Sequence, residues 1–243
     1  MKELIRRLVR STGYDIRRFT PATTPDAQLK VALDRFGVDL VLDVGANSGQ
    51  YGRLLRTLGY RGAIRSFEPL ADAYATLTKA AARDGNWCVA PRMAIGRENG
   101  SITINIAANS ASSSVLPMLE NHVSAAPESA YRGTEEVPLA RLSQVAKLDG
   151  ATAPFLKIDT QGYELAVLDG AGPVLDAAVA VQVELSLVPL YAGGATYEDM
   201  LDRLRGAGFT LWGLWPGFAD RASGRLLQAD AIVVRPERLR PES

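Results

Sequence analysis

The chain has 243 residues, a length that fits one large α/β domain better than two. It is 47% hydrophobic and 22% charged, an ordinary composition for a globular protein with a sizeable core. Lys plus Arg and Asp plus Glu both number 27, so no overall positive field indicates a nucleic-acid-binding protein.

The single cysteine and single histidine provide no ligand cluster for zinc. One cysteine also excludes an internal disulfide, and no apolar run is long enough for a transmembrane helix. The N-terminus lacks the apolar core of a signal peptide. These observations together predict a cytoplasmic protein.

Residues 1–37 are predicted to form N-terminal helices that pack on or cap the core. In residues 1–20, aliphatic side chains share one helical face and several arginines accompany them. This pattern fits a helix docked on the domain, and it also fits a basic amphipathic helix on an anionic membrane surface. A second helix begins at Pro25 and ends at Gly37.

Strand and helix patterns then alternate through a domain at residues 38–235, followed by a loose, charged tail at residues 236–243. A third strand is predicted at 87–95, interrupted by Pro91. Residues 101–107 alternate apolar and polar side chains, which predicts a half-buried, antiparallel strand that opens an insertion at about 101–139. The other predicted strands are 40–44, 63–67, 135–139, 155–158, 179–185, 209–215 and 229–234.

The sequence DVGANSG at residues 43–49 is the centre of this pattern. An apolar strand ends there in a glycine turn, and a helix follows, as in nucleotide-binding α/β domains. Asn47 stands where a dinucleotide fingerprint has its second glycine, which argues against NAD or FAD, and a P-loop motif is absent. A cofactor without phosphate, such as S-adenosylmethionine, tolerates this side chain.

Carboxylates follow several strands and are expected to line one crevice at the carboxyl ends of the sheet. Glu68 follows the second strand 19 positions after Gly49, where it can accept hydrogen bonds from both hydroxyls of a ribose. The other strand-end acids are Asp43, Asp159 and Glu184.

The chain resembles the FkbM-type methyltransferases, S-adenosylmethionine-dependent enzymes of the class I fold. The resemblance spans about 38–234 and rests on five motifs: DVGANSG (43–49), FEP (67–69), SSS (112–114), KIDTQGYE (157–164) and VELSLVPLY (183–191). It implies a mostly parallel, seven-stranded Rossmann-like sandwich with an antiparallel final hairpin and an insertion after strand three. It also implies methylation of a hydroxyl on a sugar, glycolipid or polyketide.

The resemblance further implies the residues that contact the donor. Glu68 would bind the ribose, Ala94 and Ile95 would flank the adenine, and Asp159 would face the methionine end or the acceptor. The residues of the first turn expected at the donor are Asp43, Gly45, Ala46, Asn47 and Gly49. The family's commonest form has Val-Glu where this chain has Thr160-Gln161, so position 161 cannot act as an acid here.

Methyl transfer to an alcohol requires that a proton be removed from the acceptor. The candidate bases are Asp159, His122, Glu184 and Glu164, and His122 lies in the irregular stretch 109–127, which is expected to shape the acceptor pocket. A divalent cation on Asp159 and Glu184 is a less favoured alternative. The competing function is a non-catalytic nucleotide-binding or scaffold domain; the oligomeric state is not predicted.

Overall fold

The computed structural model describes residues 2–239, without the side chain of Lys2, and within this range the chain forms nine α-helices and ten strands. The helices are α1 (Lys2–Arg10), α2 (Pro25–Arg35), α3 (Gln50–Thr57), α4 (Ala71–Ala81), α5 (Glu120–Ala125), α6 (Leu142–Val145), α7 (Glu164–Ala171), α8 (Pro173–Ala177) and α9 (Tyr197–Gly206). The strands are β1 (Leu40–Val44), β2 (Ala63–Phe67), β3 (Trp87–Val89), β4 (Ala94–Gly96), β5 (Gly100–Ala107), β6 (Tyr131–Arg141), β7 (Pro154–Ile158), β8 (Ala180–Ser186), β9 (Thr210–Pro216) and β10 (Gln228–Val234).

The main sheet has seven strands in the order β3-β2-β1-β7-β8-β10-β9. Its first five strands pair in parallel, and β10 pairs antiparallel with both β8 and β9. This arrangement confirms the predicted class I architecture and its antiparallel final hairpin. The strand order reverses at β1 and β7, and an open α/β sheet binds its ligands in the crevice at such a point.

Helices cover both faces of the sheet, so the central strands are shielded from solvent on both sides. All five residues of β1 are buried, as expected of a parallel strand between two helical layers. On one face Phe36, which follows α2, and Leu55 of α3 pack on Val41, in a cluster that includes Leu77 of α4. On the other face, residues of α7, α8 and α9 enclose a cluster around Leu42 and Leu156.

The predicted third strand was wrong as a single element. Residues Trp87–Val89 form β3 at the edge of the main sheet, whereas Ala94–Gly96 form β4 of a second, three-stranded sheet ordered β4-β6-β5. Pro91 lies at the break and has no N–H with which to continue a ladder. Strand β5 pairs antiparallel with β6, so the insertion builds its own small sheet beside the main one.

The two ends of the chain differ in how they contact this core. Helix α2 contributes the buried side chains of Ala27, Leu29, Ala32 and Leu33, whereas Leu4 and Leu8 of α1 are exposed. In the predicted loose tail, Pro236–Arg238 forms a short 3-10 turn, Leu239 is half-buried against the core, and residues 240–243 lie outside the described residues. Over the described range, no helix combines the length and the hydrophobicity that crossing a membrane requires.

Candidate active site

A cavity of about 500 Å³ opens where the parallel strands of the main sheet end. The loops after β1, β2 and β7 form its floor, and residues of the insertion form one wall. Seven of the nine residues predicted to bind a donor line it: Gly45, Ala46, Asn47, Glu68, Ala94, Ile95 and Asp159. The sheet therefore brings together side chains from distant parts of the sequence.

The turn after β1 passes very close to the turn after β7. Gly45 has a φ of +76°, and a Cβ built on it would lie 1.8 Å from the carbonyl oxygen of Asp159. Asn47 also has a left-handed backbone, with φ 47°, and its side-chain oxygen accepts a hydrogen bond from the Ser48 N–H at 2.7 Å. Only glycine fits at position 45, because any side chain would push the two turns apart.

Two backbone N–H groups, one in the turn after β1 and one in the turn after β2, hold the carboxylate of Glu68. Its Oε2 accepts a hydrogen bond from the Asn47 N–H at 2.7 Å, and its Oε1 accepts one from the Leu70 N–H at 2.9 Å. Burial raises the pKa of Glu68 to about 7, against the effect of these two donors. Each carboxylate oxygen keeps a second lone pair, so two further hydrogen bonds from a ligand can still be accepted.

One half of the cavity is apolar and suits a flat ring. Ala94 and Ile95 line it together with Leu70 and with Ile104 of the insertion. The serine run adds polar atoms at the rim, because Ser113 and Ser114 line the cavity, while Ser112 is buried against Ser129. Ser110 reaches the first turn, since the Asn47 side-chain amide donates to its Oγ at 3.3 Å.

A row of polar side chains runs under the cavity on one face of the sheet. Ser66, Asp43, Lys157 and Gln182 occupy register positions on four neighbouring strands. The Ser66 hydroxyl donates to Asp43 at 3.1 Å, and the Lys157 ammonium lies 3.3 Å from the other Asp43 oxygen. Tyr51 of α3 covers the row and donates to Gln182 at 2.7 Å.

Lys157 is the central charge of this row. Its ammonium donates to the carbonyl oxygen of Gly45 at 3.0 Å and lies 3.6 Å from Asp159. Burial alone would lower the pKa of Lys157, but the carboxylates of Asp43 and Asp159 outweigh burial and raise it. The lysine therefore stays charged and ties the two turns to the strand below them.

Gln161 holds two of the cavity carboxylates apart. Its side-chain N–H₂ donates to Asp159 at 2.8 Å and to Glu184 at 3.0 Å, and the Tyr191 hydroxyl donates to its side-chain oxygen at 2.8 Å. Its backbone has the uncommon φ of 55°, and the Ser114 hydroxyl donates to its carbonyl oxygen at 2.6 Å. An amide can donate to both acids, whereas a glutamate at this position would add a third carboxylate.

Asp230 is a cavity residue that the sequence did not indicate. It lies on β10 opposite Glu184, so the two carboxyl groups share one face of the sheet. Burial raises the pKa of Asp230 to about 6, with a contribution from the charge of Asp159. No hydrogen-bond partner for its carboxyl group is found among residues 2–239. Lys157, Gln182 and Tyr51 are further lining residues that were not predicted as site residues.

Two of the candidate bases lie outside the cavity. His122 is buried between the rings of Tyr191 and Phe218, at centroid distances of 5.3 and 5.2 Å, and burial lowers its pKa. Glu164 accepts hydrogen bonds from the backbone N–H groups of Thr160 and Gly162 at 2.8 and 3.1 Å. Glu164 therefore holds the turn after β7 in place, whereas His122 packs among aromatic rings and its Nδ1 has no hydrogen-bond partner among the described residues.

Two predicted donor-binding residues also lie outside it. Asp43 is fully buried and pairs with Lys157 under the cavity floor. Gly49 faces the core, where a Cβ would lie 3.1 Å from Leu77 and from Trp87.

Glu184, another candidate base, lines the cavity, and its carboxylate accepts hydrogen bonds from both Gln161 and Gln228. In the part of the chain that the structure describes, no group of three or more His, Cys, Asp or Glu side chains is arranged to hold a metal ion.

Comparisons with known proteins agree with this geometry at the level of the family. A family model described as "Methyltransferase FkbM domain" matches residues 43–211, which include the first turn, Glu68 and Asp159. No match was found among curated proteins.

Solved structures resemble the chain at low identity. TehB from Haemophilus influenzae is 9% identical with a TM-score of 0.47, over 86% of this chain and 62% of that chain, so less than two thirds of TehB is covered. The magnesium protoporphyrin IX methyltransferase ChlM from Synechocystis PCC 6803, with bound SAM, is 12% identical with a TM-score of 0.46, over 86% and 75%. A putative S-adenosylmethionine-dependent methyltransferase from Listeria monocytogenes is 9% identical with a TM-score of 0.48, over 85% and 95%.

Proposed function

Because this chain belongs to the FkbM methyltransferase family, we propose that it transfers a methyl group from S-adenosylmethionine to a hydroxyl of a sugar, glycolipid or polyketide-type acceptor. The observation that carries this proposal is the position of Glu68. Its carboxylate lies at the end of β2 beside the Asn47 turn, and it faces a cavity whose neighbouring wall is apolar. A ribose and an adenine need this combination.

The donor occupies the half of the cavity above β1 and β2. The two ribose hydroxyls donate to the free lone pairs of Glu68, and the adenine lies between Ala94, Ile95 and the apolar insertion wall. The methionine end passes Gly45 and Asn47 and reaches Asp159. Asp43 acts as a positioning residue, because it holds Lys157, and Lys157 in turn holds Gly45.

The acceptor occupies the other half, above β7, β8 and β10. Its hydroxyl oxygen attacks the methyl carbon, the carbon–sulfur bond breaks with its electrons on sulfur, and S-adenosylhomocysteine leaves. Asp230 receives the hydroxyl proton, because it is the cavity carboxyl without a hydrogen-bond partner among the described residues and its pKa is about 6. A base so placed contributes about 10² to 10⁴ in rate.

The other carboxylates have positioning roles in this proposal. The side-chain N–H₂ of Gln161 donates hydrogen bonds to both Asp159 and Glu184. These hydrogen bonds also disfavour a divalent cation bound between the two carboxylates. Asp159 then faces the sulfonium side of the donor, where a negative charge stabilises the cationic ground state and fixes its orientation.

The cytoplasmic location of the protein stays a prediction.

The test is methyl transfer from an isotopically labelled donor to a cell extract, followed by mass spectrometry of the products. The proposal expects a labelled methyl ether, and it expects Glu68→Ala to lower the amount of label at a limiting donor concentration. The alternative, a non-catalytic nucleotide-binding domain, expects donor binding without any labelled product. A label found on nitrogen or carbon would contradict the assignment of a hydroxyl acceptor.

A further inference from the structure

The N-terminal arm, defined as residues 3–19, concentrates exposed apolar side chains. Of the eight large hydrophobic side chains that are exposed in the described chain, six lie in this arm, and Leu4 and Leu8 are 73% and 72% exposed. Every residue of the arm is exposed except Arg6 and Val9, which are half-buried. The core does not cover these side chains, although burial of each leucine would be favourable.

Helix α1 is amphipathic over its whole length. At about 100° per residue, Leu4, Ile5, Leu8 and Val9 fall within an arc of roughly 140°, and the charged residues fall on the other side. Beyond the helix, Tyr14 and Phe19 are 75% and 60% exposed. A tyrosine, with an apolar ring and a polar hydroxyl, is typical of the boundary between water and lipid, and a phenylalanine adds apolar surface that can insert there.

The arm is also strongly basic in a chain that is neutral overall. It contains five arginines against Glu3 and Asp15, whereas the whole sequence has a formal net charge of zero. Arg6 pairs with Glu3, and Arg10 and Arg17 share Asp15. Arg7 and Arg18 have no acidic partner among the described residues.

The combination points to an anionic lipid surface rather than to a second copy of the chain. Two arms packed through their apolar faces would supply no acidic partner to Arg7 or Arg18, and both arms carry the same net positive charge. A bilayer with anionic headgroups instead accepts the arginines and the apolar face at the same time. We propose that residues 3–19 dock on an anionic membrane surface with Leu4 and Leu8 inserted at the headgroup boundary.

The test is cosedimentation of the full chain with vesicles of phosphatidylcholine alone and of phosphatidylcholine mixed with phosphatidylglycerol. The protein is expected to bind the mixed vesicles, to bind phosphatidylcholine weakly, and to be released by salt. Arg7→Gln with Arg18→Gln is expected to weaken binding about 25-fold, at roughly fivefold per arginine. Leu4→Ser with Leu8→Ser is expected to weaken it by about tenfold or more.

Matched controls are available elsewhere on the surface. Leu211 and Leu214 of β9 are exposed to 50% and 52%, and Arg221 and Arg225 lie on an exposed loop. Leu211→Ser with Leu214→Ser, and Arg221→Gln with Arg225→Gln, are expected to leave vesicle binding unchanged. Thermal melting of each variant checks that the core is intact.

Three outcomes would overturn the proposal. They are equal binding to both kinds of vesicle, binding that survives both pairs of arm substitutions, and no vesicle binding at all. If vesicles do not bind and size-exclusion chromatography shows a concentration-dependent dimer that Leu4→Ser with Leu8→Ser abolishes, the arm is instead a contact between copies of this chain.

Discussion

The backbone of Gly45 lies directly against the carbonyl oxygen of Asp159, where a Cβ at position 45 would approach to 1.8 Å. Gly45→Ala therefore forces the two turns of the cavity floor apart, besides straining a φ of +76°. Gly59→Ala is the matched control, because Gly59 has φ +90° but no atom lies within 4 Å of the point that its Cβ would occupy. We expect Gly45→Ala to lower the free energy of unfolding by about 1–3 kcal/mol more than Gly59→Ala, measured by urea titration. Equal losses would show that the close approach is unimportant.

Replacing only one partner of the ion pair between Lys157 and Asp43 is expected to destabilise the fold strongly. Lys157→Met leaves the fully buried Asp43 without its countercharge, so we expect a loss of about 3–5 kcal/mol in the free energy of unfolding. Asp43→Asn combined with Lys157→Met removes both charges and is expected to recover most of that loss. A double variant as unstable as Lys157→Met alone would contradict the assigned pairing.

Asp230 is expected to control how the methyl-transfer rate depends on pH. Its carboxyl must be ionised to accept a proton, so kcat/KM should rise with pH through about 6. Asp230→Asn should remove this limb and lower kcat by about 10² to 10⁴, with donor affinity unchanged. The assay uses the acceptor recovered by isotopic labelling. An unaltered profile in Asp230→Asn would exclude it as the base.

Glu68 is expected to make donor binding depend on pH. Its pKa is raised to about 7 in the folded chain from an ordinary 4.5, so its contribution to stability is present below 4.5 and is lost as pH rises through about 7. Ribose hydroxyls favour the ionised carboxylate, so S-adenosylhomocysteine should bind more tightly above about pH 7 than below it. Glu68→Gln should flatten this dependence in calorimetric titrations. A dependence that persists in Glu68→Gln would assign it to another group.

Much of the fold followed from local patterns, because the buried parallel strands are bounded by glycines, prolines and acids. Glu68 was predicted from its spacing to Gly49, and the structure places its carboxylate in the cavity. The direction in which Asp43 points was not predictable, because an acid at the end of a strand faces either a ligand or a buried partner such as Lys157. The residue on the neighbouring strand, here Lys157 on β7, decides whether the carboxylate faces a ligand or a buried partner.

Other features depend on contacts between distant segments. Pro91 indicated an interruption, but the departure of β4 into a second sheet depends on its pairing with β6. His122 had a suitable intrinsic pKa, yet Tyr191 and Phe218 bury it away from the cavity. Asp230 was missed because it lies near the start of the final strand, and its position opposite Glu184 arises from antiparallel pairing.

Calorimetric titration of the purified chain with S-adenosylhomocysteine tests the central claim, that this cavity is a donor site built around Glu68. One-to-one binding to the chain is expected, and Glu68→Ala is expected to weaken it about tenfold or more through loss of charge-assisted hydrogen bonds of about 1.5–3 kcal/mol. Asp230→Asn serves as the control in the same cavity and should keep the affinity. Absence of binding to the unaltered chain at millimolar ligand, or equal affinity in Glu68→Ala, would contradict the account.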